Sequence, residues 1–337
     1  MSGPDASREG AYAVETLYNA LVTAMIVSLV VRRGADTARE YVFRHFRRQH
    51  LEKFLPGLRK LGLAGLPPAV ACALYHYHSN ALGGVKTEYV RESGRKAWVR
   101  YPPPRWMWRG TAIAAIPHEV SAAMLHGWHG HNGTSLGNPN LGFTCTGMTV
   151  DGMPGLEGYY LEHDRPLAES ERVRFAYGEE SMPRFDAAAA PSLDAASWPA
   201  ERLARVRCRY AMEYVRTLLA VLEGLLGAQE ASPELGRVAR LVGLQFYEDT
   251  AGGARDFTQW MADALRAQGE EVVQDATSIR MARWRLAEGL GLADPLAAFA
   301  GWNELWGGAC AAHDRFLRMD AMPVLAEGTV SAQWTIV

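Results

Sequence analysis

Cysteine is scarce in this chain, and its four cysteines lie far apart. Cys72, Cys145, Cys208 and Cys310 form no Cys-x-x-Cys pair. Zinc ribbons, thioredoxin-type sites and disulfide scaffolds need cysteines at defined close spacings, so this distribution argues against all three. Isolated cysteines are typical of proteins from a reducing compartment, and we therefore predict a cytoplasmic location.

Excess positive charge is also missing. The formal net charge is -2 and the sequence pI is about 6.6. Proteins that bind nucleic acid normally carry a strongly basic surface, because they must neutralise phosphates. We therefore expect no nucleic-acid partner.

No apolar run is long enough to cross a membrane. The longest, residues 21–31, has 11 residues and includes Thr23 and Ser28, whereas a spanning helix needs ~20. The N-terminus carries acidic residues and no basic segment typical of a secretory signal. We predict a soluble protein with a buried helix at 21–31 and no membrane partner.

Nucleotide-binding and zinc-protease motifs are missing as well. The chain contains neither GxxxxGK[ST] nor a strand-coupled GxGxxG. His118 and Glu119 begin like a zinc-protease signature, but Ala122 stands where the second histidine is required. These absences argue against nucleotide hydrolysis and dinucleotide redox chemistry.

What the chain does contain is one order of predicted elements, repeated in its two halves: helices, hairpin, helix, hairpin. In the first half, the pattern predicts helices at about 8–32, 36–54, 67–82 and 117–130, with the second ending before Pro56. Residues 178–200 are rich in Ala, Pro, Ser and acids without periodicity, which is typical of a linker. We predict a unit at 1–177, a linker at 178–200 and a unit at 201–337.

Two local matches favour a diverged internal duplication. AWVRY at 97–101 corresponds to ARWRL at 282–286, each at the end of a predicted hairpin. The distance from Asn138 to Gly152 is 14 residues, and so is the distance from Asp314 to Gly328. The predicted fold class is therefore α+β, a pseudo-dimer of two units that each pack helices on a small antiparallel sheet.

The second half resembles the end of the L-2-amino-thiazoline-4-carboxylic acid hydrolase family, on CAAHD at 310–314, LAEG at 325–328 and the final SAQWTIV. More distantly it is similar to 4-vinyl-reductase-type ligand-binding domains, which share a fold with certain vesicle-trafficking subunits. Ala332 or its neighbours stand where those domains often carry a cysteine. The resemblance implies an α+β unit with a ligand pocket between helices and sheet, used for hydrolytic opening of an amidine-like ring or for sensing.

Histidines are concentrated in one region: seven of the ten lie between positions 76 and 163. His126 and His129 are three residues apart on a predicted helix, so their side chains can meet. A metal there needs a third ligand, which His131, His163, Glu157 or Glu162 could supply. The alternatives are metal-free ligand binding or acid–base work, and a purely structural role.

A predicted strand at 156–163 carries further polar residues. Strand alternation places Glu157, Tyr159 and His163 on one face, where they form an acid–base set if that face lines a pocket. It could equally be a solvated face. Cys310 and His313, on a helix end, suggest a thiolate nucleophile, against the alternative of a small core cysteine.

The resemblance implies a small-molecule hydrolase that acts on a C–N bond of a cyclic or amide-like substrate, through histidine acid–base chemistry or a metal-activated water. The concentration of polar residues places its expected site in the first half. The predicted catalytic residues are His126, His129, His131, Glu157, His163 and Cys310. The predicted substrate-binding residues are Asn132, Asn138, Tyr159, Arg100, Arg105 and Trp128. The sequence does not identify a cofactor; a divalent metal, zinc or manganese, on His126 and His129 is the one that this pattern allows.

Two other classes stay open: a non-catalytic small-molecule sensor, and a scaffold of trafficking-domain type that uses exposed tryptophans. The partner we expect is a small molecule, as substrate or ligand. Association with a second copy of the chain stays open.

Overall fold

A computed structural model describes residues 4–193, 198–252 and 256–337. Contacts divide them into a C-terminal unit, made of residues up to Ser28 together with Pro199–Val337, and an N-terminal unit, Leu29–Trp198. The predicted division placed the first 28 residues with the N-terminal unit instead. Their place follows from Tyr18, a buried residue of the first helix. Its hydroxyl accepts a hydrogen bond from Trp302 Nε1 (2.8 Å) and donates one to Gln268 Oε1 (2.5 Å).

The first helix, α1, spans Pro4–Arg33. By length and composition, its segment Arg8–Arg33 could cross a membrane, which the 11-residue run in the sequence did not suggest. However, half of the residues in its most apolar 18-residue stretch are buried, and Leu17, Leu21 and Met25 are fully buried. This burial is compatible with a soluble protein, while the cytoplasmic location stays a prediction.

The N-terminal unit combines helices with a five-stranded sheet. Its helices are α2 (Ala35–Lys60), α3 (Pro68–Leu82), α4 (His118–Gly127) and α5 (Asn132–Ser135). Its strands are β1 (Glu88–Arg91), β2 (Lys96–Tyr101), β3 (Leu141–Gly147), β4 (Leu156–Glu162) and β5 (Val173–Phe175). The order is β1-β2-β4-β3-β5, antiparallel except for β5, which runs parallel to β3.

The C-terminal unit combines α1 and further helices with a four-stranded antiparallel sheet of order β6-β7-β9-β8. The helices are α6 (Ala200–Leu226), α7 (Ala228–Ala251), α8 (Phe257–Ala267) and α9 (Pro295–His313). The strands are β6 (Val272–Gln274), β7 (Ser278–Met281), β8 (Met319–Ala326) and β9 (Thr329–Ile336).

The α+β class is therefore confirmed, and both units have a hairpin, a helix and a second hairpin in that order. The sheet order β1-β2-β4-β3 of the N-terminal unit has the same form as β6-β7-β9-β8. Gly152 and Gly328, the two glycines at matched spacing, both adopt left-handed backbone angles, with φ of 84° and 74°.

Two local predictions were wrong. α2 does not end before Pro56 but continues to Lys60, because a proline in the last turns removes few helical hydrogen bonds while Phe54 and Leu58 stay buried. ARWRL at 282–286 is not a strand: β7 ends at Met281, and a short 3-10 turn follows. The Glu270 carboxylate bends the chain there by accepting hydrogen bonds from the backbone N–H groups of Arg285 and Leu286.

The two faces of the N-terminal sheet have different surroundings. On β4, Tyr160 is fully buried beside His76 of α3. Its neighbour Tyr159 points to the opposite face, where its hydroxyl donates to Glu180 at 2.8 Å. Alternation along the strand therefore separates a helix-covered face from a face covered by the chain around Glu180.

Candidate functional site

Three buried histidines meet between the helices and the sheet of the N-terminal unit; we call them the buried histidine cluster. His50 lies on α2, His76 on α3, and His129 in the turn that follows α4. The rings of His76 and His129 are stacked, with centroids 4.3 Å apart and planes 7° apart. Each of the three residues is at most 5% exposed.

Aromatic rings enclose this cluster. Tyr160 is nearly parallel to both stacked imidazoles, at 6.0 Å from His76 and 5.8 Å from His129. Phe143 lies 4.5 Å from His129, and Trp128 lies 5.9 Å from His76 and 5.6 Å from His50. The stacked imidazoles therefore lie inside a cluster of aromatic rings.

A glycine on β4 allows this packing. A Cβ at Gly158 would lie 2.3 Å from the carbonyl oxygen of Thr144 and 2.5 Å from the ring of Phe143. Only a residue without a side chain lets Phe143 cross β4 at this distance. Gly158 therefore fixes one wall of the buried histidine cluster.

The polar atoms of the cluster are only partly satisfied. Arg47 Nη1 lies 2.8 Å from His50 Nδ1, and because a guanidinium can only donate, this assigns the His50 proton to Nε2. Asn132 Nδ2 donates to the Tyr160 hydroxyl at 2.9 Å. Both ring nitrogens of His129, His76 Nε2 and Trp128 Nε1 have no hydrogen-bond partner within the described ranges of the chain.

Burial keeps these imidazoles neutral. Desolvation, with further contributions from the nearby charges of His50 and Arg105, lowers the pKa of His76 to about 3. Desolvation is the main reason that the pKa of His50 is lowered to about 3, and the nearby charges of Arg47 and His131 add to this effect. The pKa of His129 is lowered well below its usual value, mainly by burial and next by His76. A neutral imidazole offers one donor and one acceptor, but at such a pKa it is a poor general base near pH 7.

The structure brings several predicted site residues to this cluster. His129 belongs to it, and Trp128 and Asn132 border it. The Arg105 guanidinium lies 4.6 Å from the ring centre of Tyr101, and the Tyr101 ring in turn is 6.3 Å from that of His76. These residues come from three separate segments that the sequence could not show to be adjacent.

His126 lies outside the buried histidine cluster, and His131 lies at its edge. His126 is exposed, and its ring is 5.9 Å from Phe175. His131 is half-buried, with its ring 6.2 Å from that of His50, and its pKa is lowered to about 4, mainly by desolvation. The predicted His126–His129 metal pair gains no support, since the described residues contain no group of three or more His, Cys, Asp or Glu placed to hold a metal.

The predicted acid–base set lies on the other face of the sheet. Glu157 accepts hydrogen bonds from the Thr146 hydroxyl (2.9 Å) and the Met182 N–H (3.1 Å). Arg100 Nη1 donates to Glu88 at 2.8 Å, and Tyr159 is bound to Glu180 as described above. β4 separates these residues from the buried histidine cluster, so they do not share a pocket with it.

Asn138 and His163 have local backbone roles. The Asn138 side-chain oxygen accepts a hydrogen bond from the Asn140 N–H at 3.0 Å. His163 lies just beyond the end of β4, and its N–H donates to the Asn140 carbonyl at 2.9 Å. The structure therefore places both residues in the connections that flank β3 and β4.

Cys310 is buried in α9 of the C-terminal unit. Desolvation raises its pKa to about 11, and its thiol donates to the Leu317 carbonyl at 3.8 Å. His313, the predicted base, instead places Nδ1 2.7 Å from the Tyr247 hydroxyl. Burial likewise raises the pKa of Cys145 to about 12. Neither environment favours a thiolate.

The tryptophans in and near the 102–110 loop are not exposed. Trp98, Trp108 and Trp128 are buried, and Trp106 is half-buried. None of these four tryptophans is exposed, and the scaffold class itself stays a prediction.

Sequence reasoning missed His50, His76 and Tyr160 as site residues. The available signal was His76 within the otherwise apolar segment 68–76, since an imidazole there must be buried. It also missed a second cluster, in which His118 Nδ1 lies 2.8 Å from Asp151 Oδ2 and the Tyr177 hydroxyl donates to the same oxygen at 2.7 Å. That cluster ties α4 to the chain after β3 and β5.

Comparison of the chain with family models, with curated proteins and with solved structures finds no match.

Proposed function

We propose that the N-terminal unit binds a small molecule at the buried histidine cluster, without catalysing a reaction on it. The observation that carries this proposal is that His129 has two unpaired ring nitrogens and His76 has one, all surrounded by aromatic rings. Unpaired buried polar groups are rare and costly in native proteins, and an absent ligand or ordered water is their usual explanation.

The chemistry of the cluster selects the ligand. Neutral imidazoles offer donors and acceptors but no charge, so the ligand should itself be neutral with at least one N–H or O–H donor and one acceptor. The unpaired nitrogens lie at the edges of stacked rings among other aromatic side chains, which favours a flat ring system that hydrogen-bonds in the plane of the imidazoles. We therefore infer a planar heterocycle as the ligand class.

The alternative, hydrolysis of a C–N bond, has less support. Its predicted carboxylate, Glu157, lies on the far face of the sheet, and its predicted thiol nucleophile, Cys310, lies in the other unit with a raised pKa. His129 remains beside the candidate ligand, but its lowered pKa makes it a weak base. Recognition accounts for all these features without requiring a nucleophile.

The sensor hypothesis is testable with benzimidazole, a flat heterocycle that has one N–H donor and one nitrogen acceptor. Indene has the same shape without either group and is the matched control ligand. We expect calorimetric titration of the full-length protein to detect benzimidazole binding that is ~3- to 10-fold tighter than indene binding, the range expected for one neutral hydrogen bond.

The variant that isolates the histidine is His129→Phe, which keeps a ring and removes both nitrogens. It should bind benzimidazole and indene equally, while His126→Phe, a change at an exposed histidine, should leave the preference intact. Equal binding of the two ligands by the unchanged protein, or binding of neither, would refute the proposal.

We also infer that the two units are diverged copies of one ancestral unit. The shared strand order, the helix between two hairpins, and the matched left-handed glycines Gly152 and Gly328 support this inference. An experimental structure tests it through the crossover from the first to the second hairpin, which must have the same hand in both units.

A further inference from the structure

Basic residues are concentrated in one short part of this acidic chain. Residues 32–60 contain nine Lys or Arg and three Asp or Glu, which leaves 26 basic and 34 acidic residues in the rest of the chain. This segment, the end of α1 and all of α2, therefore carries a formal charge of +6 against -8 elsewhere. Such a local concentration of positive charge attracts a negatively charged surface.

The solvent side of α2 combines this charge with exposed leucines. At 100° per residue, Arg44, Arg48, Leu51, Leu55 and Arg59 fall within an arc of about 80°, along about 22 Å of helix. We call these five residues the basic leucine stripe. Leu51 is 63% exposed and Leu55 36% exposed, and the three arginines are exposed or half-exposed.

Local ion pairs do not neutralise the stripe firmly. Arg44 pairs with Glu40 at 2.6 Å and Arg48 with Glu52 at 2.8 Å, in each case one helical turn apart at the surface. Exposed pairs of this kind are weak and are screened by salt, so both arginines can exchange partners. Arg59 lies in the last turn of the helix and is exposed.

We propose that the basic leucine stripe binds the surface of an anionic lipid bilayer. A convex helix face with two leucines between flanking arginines suits a bilayer, which accepts leucine side chains between headgroups and attracts arginines to phosphates. A protein partner would have to supply a matching groove. The sequence-based expectation of no membrane partner concerned spanning segments, and this contact is peripheral.

The chain contains a matched leucine pair for comparison. Leu241 and Leu244 on α7 are 59% and 40% exposed, close to the values of Leu51 and Leu55. However, α7 carries four acidic and two basic residues, and Glu248 and Asp249 follow the pair. If exposed leucine alone drove binding, both pairs would contribute; if the combination with positive charge matters, only the α2 pair will.

The test is co-sedimentation of the full-length protein with phosphatidylcholine vesicles that contain about 30 mol% phosphatidylserine, which supplies the anionic surface. We expect binding to these vesicles, none to pure phosphatidylcholine, and loss of binding when the salt is raised from about 0.1 to about 0.5 M. Equal binding to both compositions, or binding to neither, overturns the proposal.

Variants assign the binding to the stripe. Arg44→Gln with Arg48→Gln should weaken partitioning about 25-fold, because each basic residue near an anionic bilayer contributes about fivefold. Leu51→Gln with Leu55→Gln should also weaken it. Arg205→Gln with Arg209→Gln, at exposed positions of α6, and Leu241→Gln with Leu244→Gln should change it little. Equal losses in stripe and control variants would overturn the assignment.

Thermal unfolding of each variant shows whether it is folded, and the arginine pair carries the test if the leucine variant is not. Light scattering gives the remaining outcome. A dimer in solution that dissociates in the Arg44→Gln, Arg48→Gln variant would assign the stripe to a second copy of the chain and overturn the lipid proposal.

Discussion

His76 and His129 stack face to face inside the N-terminal unit, and the stack requires both rings to be uncharged. Their centroids are 4.3 Å apart, and each residue is 5% exposed. Two imidazolium ions at this distance in a buried site would repel strongly. The charge of His76 accordingly contributes to lowering the pKa of His129, after the larger effect of burial. Stability and ligand binding in this unit therefore depend on histidine protonation.

The first prediction concerns acid stability. His50 and His76 have their pKa lowered to about 3 by burial, so below their ordinary value of about 6.5 the unfolded chain binds more protons than the folded one. Their contribution is present above that value and is lost as the pH falls. We expect the free energy of unfolding of the N-terminal unit to fall by ~1.4 kcal/mol per pH unit for each histidine.

Urea denaturation between about pH 7 and about pH 5 measures this slope, since the histidines titrate there in the unfolded chain and most carboxyl groups do not. His76→Phe should reduce this slope by the contribution of one histidine, ~1.4 kcal/mol per pH unit. His126→Phe, at an exposed histidine, is the control and should leave the slope closer to that of the unchanged protein. A slope unaffected by His76→Phe would show that this imidazole does not stay neutral in the fold.

The second prediction separates stability from binding at His129. Because both its ring nitrogens are buried without partners, replacing it with phenylalanine removes an unpaired polar group while keeping a ring. We expect His129→Phe to stabilise the protein by ~1 kcal/mol, at the low end of the 1–3 kcal/mol cost of such a group, since phenylalanine is slightly larger. His129→Ala should instead destabilise it by leaving a cavity. Thermal denaturation of the three proteins compares them, and a destabilised phenylalanine variant would mean that the nitrogens are satisfied by water.

Local pattern and tertiary packing explain what the sequence could and could not predict. Turn glycines and strand alternation depend on neighbouring residues, so the hairpins, the helices and the opposite directions of Tyr159 and Tyr160 follow from the sequence. The meeting of His50, His76 and His129 depends on how α2, α3 and the turn after α4 pack, which no local pattern encodes. For the same reason, Glu157 belongs to a plausible acid–base set in the sequence, but in the structure it lies on the sheet face opposite the buried histidine cluster.

The third prediction tests the reactivity of Cys310. Its thiol is buried and its pKa is raised to about 11 by desolvation, so very little thiolate forms near neutral pH. We expect iodoacetamide to modify Cys310 in the unfolded chain but not detectably in the native protein, as measured by mass spectrometry of proteolytic fragments. Rapid native labelling would restore the nucleophile hypothesis.

The fourth prediction concerns the contact between α7 and α9, which depends on glycines. A Cβ at Gly243 would lie 2.1 Å from the Leu305 carbonyl oxygen, and one at Gly308 would lie 2.1 Å from the Arg240 carbonyl oxygen. Because backbone atoms form the obstacle, the helices themselves would have to separate.

Gly243→Ala and Gly308→Ala should each destabilise the C-terminal unit by ~2 kcal/mol or more, by the strain of overpacking. Gly224→Ala on α6 is the control: nothing lies within 4 Å of its Cβ, and the change should stabilise the helix by ~0.5–1 kcal/mol. Equal effects at all three positions in chemical denaturation would contradict the close approach.

The last prediction gives the C-terminal unit a pH response opposite to that of the histidines. Glu270 is 4% exposed, and burial raises its pKa to about 7, although the backbone N–H groups of Arg285 and Leu286 oppose the shift. Its folded pKa therefore exceeds its unfolded one, so its contribution to stability is fully present below the unfolded value of about 4.5 and is lost as the pH rises through about 7. The loss amounts to ~3 kcal/mol.

In Glu270→Gln this dependence disappears, so the stability difference between the variant and the unchanged protein should shift in favour of the variant between about pH 5 and about pH 8. Chemical denaturation across that range measures the difference, and a difference that does not change with pH would show that Glu270 is already ionised in the folded protein at the acidic end.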